Sequence, residues 1–154
     1  MPDFRRNFQP GGCYFFTVVS DRRAPILCSN ASRAILRAVL AECRMRRPFR
    51  IDAVVLLPDH LHTIWTLPEG DARYPARWGW IKKEFTSRWL RDGGREQPQT
   101  DGRRRDGRRG VLQPKYWEHT LRRRIAKSWR PHQGCSMSDG RWPRKRVSHS
   151  IIGH

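Results

Sequence analysis

A chain of 154 residues is one domain long, enough for a hydrophobic core without staples. Its 32 Lys+Arg against 14 Asp+Glu leave a formal net charge of +18, so its natural counterpart is a polyanion, and nucleic acid is the commonest. The longest apolar run, Ala53 to Pro58, is far too short to span a membrane, no apolar signal follows Arg5 and Arg6, and Cys13, Cys28, Cys43 and Cys135 form no C-x-x-C pair; these exclude a membrane span and paired-cysteine zinc, and predict a reducing, cytoplasmic protein without disulfides.

Gly11-Gly12 ends a basic opening segment, and "CYFFTVVS" reads as a strand from its β-branched and aromatic residues. "SNAS" offers helix caps. Ile35, Leu36, Val39, Leu40 and Cys43 then fall on one helical stripe that Pro48 closes, with Arg33, Arg37 and Arg44 off it. "FRIDAVVLLP" is a second strand, nearly all apolar in its second half and so expected at the centre of a sheet. "HLHTIWTL" is a third, joined through Pro58-Asp59. Pro75 opens a second helix, where Trp78, Ile81, Phe85 and Trp89 recur at spacings of three and four; Lys82, Lys83 and Arg88 face elsewhere, and Gly93-Gly94 stops it. "REQPQTDGRRRDGRRG" has no apolar residue before Val111 and reads as a solvated, flexible basic loop at about 95–110. "KYWEHTL" is a fourth strand. The order β-α-β-β-α-β predicts an α+β, ferredoxin-like split βαβ fold: an antiparallel sheet with two helices on one face. Beyond Leu121 periodicity fails, which divides the chain into a domain over 1–121 and a divergent basic tail over 122–154.

His60 and His62 flank Leu61. Strand residues two apart share a face, so the two imidazoles project side by side while Leu61 packs on the other side. Such a pair could be two exposed strand histidines, packing residues, or two ligands of one divalent cation whose third ligand comes from elsewhere. The tryptophans divide similarly: Trp65, Trp78 and Trp89 are expected in the core, while aromatics interleaved with arginines also suit unstacked bases.

Four blocks go further. "PGGCYFFTVVSDRRAPIL", "VVLLPDHLHTIWTLPEGD", "RWGWIKKEFTSRWL" and "YWEHTL", in that order, resemble the IS200-like, REP-associated tyrosine transposases of the HUH single-strand nuclease class, over roughly residues 5 to 121. The resemblance implies that His60 and His62 hold Mg²⁺ or Mn²⁺ at the scissile phosphate. A tyrosine on a later helix would then attack, leaving a 5′-phosphotyrosine link and a free 3′-hydroxyl. It also implies a partner: single-stranded or hairpin DNA of the repetitive extragenic palindrome kind, bound by a monomer or a homodimer. Glu118 and His119 match the family's Trp-Glu-His block, with a structural role in orienting a ligand. Arg5, Arg6, Lys82 and Lys83 are phosphate-contact candidates, as are Arg103, Arg104 and Arg105, with Arg108 and Arg109, in the basic loop.

The sequence departs from the family after Leu121. Relatives continue into a helix carrying the nucleophile, in a block resembling D-Y-I-H-x-N-P. Here the chain has only Tyr14, Tyr74 and Tyr116, and the remaining segment reads like a frameshift product. The expectation is a transposase scaffold impaired in cleavage, with Tyr116 a weak substitute nucleophile. The alternative is a non-catalytic basic nucleic-acid-binding domain derived from such a transposase. On the fourth strand Tyr116 and Glu118 face together and Trp117 and His119 the other way; which pair meets the histidines is open at this point.

Overall fold

The computed structural model describes residues 8–121. Arg5, Arg6, Cys135 and the segment 122–154 therefore lie outside the described residues. Strand β1 (Cys13–Val19) leads through a short 3₁₀ turn at Asp21–Arg23 to helix α1 (Asn30–Arg46). Strands β2 (Arg50–Leu56) and β3 (His60–Thr66) form a hairpin, followed by helix α2 (Tyr74–Arg91), the short α3 (Asp101–Arg105) and strand β4 (Trp117–Leu121). The four strands make one antiparallel sheet in the order β2-β3-β1-β4. This is the expected α+β arrangement, with β1 and β3 in the middle.

Local chemistry accounts for the elements. Ser29 caps α1, its hydroxyl accepting from the Ser32 N–H at 3.1 Å. Pro75 sits in the first turn of α2, where its missing N–H costs nothing. Gly93, at φ 86°, lets the chain leave α2 in the left-handed region. Alternation in the strands does the rest. Tyr14, Phe16 and Val18 of β1, with Leu61 and Trp65 of β3, bury one sheet face against Ile35, Leu36 and Val39 of α1 and Trp78, Ile81 and Phe85 of α2. Trp65 and Trp78 stack at 4.3 Å across this layer. Trp89, expected beside them, is only half-buried; it stacks on Phe85 and donates its indole N–H to the Arg95 carbonyl at 3.1 Å.

Two expectations are corrected. β2 is an edge strand, not a central one. Its apolar run has two destinations: Ile51, Val54 and Leu56 turn toward the helices, whereas Val55 stays 54% exposed on the other face. The 95–110 segment is also not a free loop. Glu96 and Arg109 form a two-point ion pair at 2.7 and 2.9 Å, and the Gln97 N–H donates to the Gly110 carbonyl at 2.8 Å. Gln99 donates to the Asp21 carboxylate at 2.9 Å, the Asp21 N–H donates to the Val111 carbonyl at 2.9 Å, and Ser20 bridges Leu112. The loop is closed on itself and tied to the end of β1.

Candidate functional site

Both helices lie on one side, so the opposite face of the sheet is open among the described residues. The register decides what it carries. Thr17 pairs with His62 and Val19 with His60 across β1 and β3; Phe15 pairs with Ile64 on one side and His119 on the other; Thr17 also pairs with Trp117. The open face therefore bears His60, His62, Ile64, Phe15, Thr17, Trp117 and His119. The question of which β4 pair joins the histidines is answered: Trp117 and His119 do, and Trp117 is 63% exposed.

The two imidazoles stand 4.9 Å apart between ring centres, nearly perpendicular at 78°. Each is held at Nδ1. His60 Nδ1 lies 2.6 Å from Asp59 Oδ1, and because a carboxylate only accepts, that nitrogen carries the proton. His62 Nδ1 lies 2.8 Å from Thr17 Oγ1, and the Phe15 ring stacks beside it at 5.4 Å. With both Nδ1 atoms engaged, the ring edge left to a ligand is Nε2 in each case, the second-sphere pattern of metal-binding histidines. Burial, and then the neighbouring His60, push the His62 pKa below its ordinary value and favour the neutral, ligating form. Two rings on adjacent octahedral positions of a small divalent cation would have centres roughly 4.7 Å apart, from a metal–nitrogen distance of ~2.1 Å. The observed 4.9 Å between ring centres is close to that separation. Among the described residues no group of three or more His, Cys, Asp or Glu stands ready to enclose one.

Sequence reasoning missed the supports. Asp59 also accepts from Arg23 Nη1 at 2.9 Å, and the bonds from His60 and Arg23 hold its carboxyl below the usual range. Arg22 and Arg23 sit in the left-handed region at φ 51° and 53°, a strained turn that aims Arg23 at Asp59. Asp59 could have been suspected from its place beside His60. Thr17 and Phe15 could not, because only the β1–β3 register brings them to His62.

Other predicted residues are scattered. Glu118 is buried on the helix side, where the Tyr74 hydroxyl donates to it at 3.3 Å, so it does not orient a histidine of the pair. His119 lies on the open face, separated from His62 by the Phe15 ring, which it stacks on at 6.5 Å. Tyr116 packs against Phe16 and Trp78, on the side away from the histidines. A direct attack by its phenol on a phosphate held at His60 and His62 does not fit this placement. Tyr14 and Tyr74 are fully buried on that same side, 4.7 Å apart. Lys82 donates to the Pro114 carbonyl at 2.7 Å, and with Lys83 it belongs to the helix layer, across the sheet from the pair. Arg103 lies 3.6 Å from Asp21, which places α3, with Arg104 and Arg105, in the loop anchored at the His60 end of the sheet. Arg108 and Arg109 follow in that loop, Arg109 being committed to Glu96.

No family model matches the chain. Individual relatives do. An Escherichia coli REP-associated tyrosine transposase is 37% identical over 133 residues, spanning 86% of this chain and 68% of the relative. A Haemophilus influenzae protein given the same family name provisionally is 34% identical over 123 residues, 79% of this chain and 67% of its own. A solved REP-associated tyrosine transposase bound to a REP hairpin superposes with a TM-score of 0.60 at 34% identity, covering 83% of this chain and 68% of that one. On sequence and fold together, this chain belongs to the REP-associated tyrosine transposase family.

Proposed function

We propose that this chain binds hairpin DNA with an unpaired flank and lays the unpaired strand across the open sheet face, so that one phosphate meets His60 and His62. The observation that carries this reading is the imidazole pair, each ring fixed at Nδ1, on a face lined by aromatic rings. The solved relative, which holds a REP hairpin, supports the choice of DNA.

His60 and His62 would present Nε2 to Mg²⁺ or Mn²⁺. Such a cation, when bound, supplies Lewis-acid charge to a phosphate oxygen. Asp59 holds His60 in the tautomer that leaves Nε2 unprotonated, and Thr17 keeps the His62 ring in place. Trp117 and His119 offer ring faces on which unstacked bases rest, with Phe15 stacked between His62 and His119. The arginines of α3, anchored beside the His60 end, attract the backbone as it leaves the face.

Strand cutting in this reading also needs a phenol in line with the phosphorus. The sequence holds three tyrosines, and Tyr14, Tyr74 and Tyr116 all turn to the helix side of the sheet. We therefore assign to the chain as given the binding and positioning of the strand, without covalent capture by any of the three. The same placement favours a second reading, a binding domain that has no use for a metal.

The test is a labelled hairpin-ended strand incubated with the protein and Mn²⁺. The expected result is tight, salt-sensitive binding, Mn²⁺ bound by the unaltered chain and lost in His60→Ala/His62→Ala, and no denaturant-resistant adduct. An adduct overturns the inactive assignment, and an adduct lost in Tyr116→Phe moves the nucleophile to Tyr116. DNA binding with no Mn²⁺ uptake selects the second reading. Equal affinity for unrelated RNA overturns both.

A further inference from the structure

The sheet's other end carries a second charged feature that the histidine site does not use. A cleft of about 450 Å³ opens where α1 ends and α2 begins. Arg46, Arg47, Arg73 and Arg77 line it against a single carboxylate, Asp71, which leaves four positive charges to one negative, a net of +3. Asp71 is already committed: one oxygen accepts from Arg77 Nη2 at 2.7 Å, the other from the Arg73 N–H at 2.7 Å. Arg77, 2% exposed, also donates to the Pro48 carbonyl at 2.9 Å and the Arg47 carbonyl at 3.3 Å, so the floor of the cleft is fixed. Nor does the start of α2 discharge the site. No side chain caps it, no acidic residue occupies its first turn, and an arginine stands at its N-cap, so the positive end of the helix adds to the arginines.

The lining differs in kind from the open sheet face. The open face presents rings; the rest of the cleft is proline and alanine, with no π-surface for an unstacked base. Arginines without rings suit phosphates whose bases are paired and turned inward. From His60 to Thr66 β3 rises about 20 Å, so the cleft and the histidine pair stand at opposite ends of the sheet.

Resting on the hairpin-DNA reading above, we propose that the Arg46–Arg47–Arg73 cleft is a duplex-phosphate site that grips the paired stem of the hairpin while the unpaired flank lies on the histidine face. The arginines neutralise stem phosphates without reading sequence, and the grip sets how far from the stem the flank meets the histidines.

The experiment compares two labelled DNAs by anisotropy with the full chain: a hairpin with an unpaired flank, and the same flank with no stem. The variant is Arg47→Gln/Arg73→Gln, whose side chains are exposed; Arg33→Gln/Arg37→Gln on the first half of α1 removes the same charge elsewhere. The cleft variant is expected to bind the hairpin about tenfold more weakly and with a salt slope flatter by about 2, one per phosphate contact, while its affinity for the flank stays unchanged. The control should lose little on either DNA, and thermal melts should show both variants folded. Equal losses on both DNAs, the same selective loss in the control, or no loss on the hairpin each overturn the cleft site. If the unaltered chain binds neither DNA, the hairpin reading fails and takes the cleft with it. If it binds both and only the cleft variant is silent, the hairpin reading stands and the cleft alone falls.

Discussion

His60 and His62 share a face because the strand repeat is two, and that much is legible in "HLH" without any structure. Their support is not. Asp59 is next to His60 in sequence, but Thr17 is forty-five positions from His62, and a threonine inside an aromatic strand gives no hint of a ring nitrogen 2.8 Å away. The supports yield a graded expectation. His60→Ala/His62→Ala should abolish Mn²⁺ binding with little change in melting temperature, since Leu61, not the histidines, fills the core. Asp59→Asn should keep both ligands and weaken Mn²⁺ about 10–100-fold, read by titration calorimetry, because an amide no longer fixes the His60 proton as a carboxylate does. Unchanged affinity would mean that the carboxylate serves Arg23 instead. A second carboxylate governs stability. Arg77 holds Asp71 at a pKa of about 2, below its ordinary 3.8. The folded value is depressed, so the contribution is fully present above about pH 3.8 and is lost as pH falls through about 2. Denaturant melts between pH 5 and pH 2 should show this loss in the unaltered chain. Asp71→Asn should be flatter there and about 3 kcal/mol less stable at pH 7, because it leaves Arg77 buried without its counter-charge. A variant as stable as the parent would show that the carbonyls of Arg47 and Pro48 suffice.

Among the elements, periodicity located all four strands and both long helices, and their order gave the ferredoxin-like topology. Position within the sheet was less legible. An apolar run such as Ala53–Leu57 reads the same whether both faces are covered or one edge is bare, so β2 was expected at the centre and is found at the rim. The 95–110 segment hid its order for another reason. What holds it is polar: Glu96 with Arg109, Gln99 with Asp21, and one backbone bond from Gln97 to Gly110. Composition records such residues only as solvated. Gly110 is the closing point, where a Cβ would collide with the Gln97 carbonyl oxygen and the Gln99 amide. Gly110→Ala should therefore open the loop and leave the sheet in place. Limited trypsin digestion should cut the variant among Arg103–Arg109 several-fold faster than the parent, with the core fragment intact; equal rates would place the strain elsewhere.

For the molecule as a whole, the +18 charge pointed to a polyanion and could not say where one would lie. The fold sorts the charge. Lys82 and Lys83 go to the helix layer, the α3 arginines to the His60 end, and Arg46, Arg47 and Arg73 to the opposite end. Binding of an unpaired strand should fall with salt at a log–log slope of about −0.7 per phosphate neutralised, and a flat titration would remove nucleic acid as the partner. The bare rim of the sheet has a consequence of its own. Among the described residues the outer edge of β2 has no strand beside it and carries an exposed Val55, the makings of a template on which further copies could stack into a fibril. Two features resist this. A bulge between Ile51 and Ala53 breaks the ladder near the start of the strand, which leaves an incoming strand only the short run Ala53 to Leu56 to match. Every approaching copy also carries the same +18, a repulsion that salt or bound DNA would screen. The charge that draws in the nucleic acid thus also holds copies of the empty protein apart, and their colloidal stability is expected to fall as salt rises.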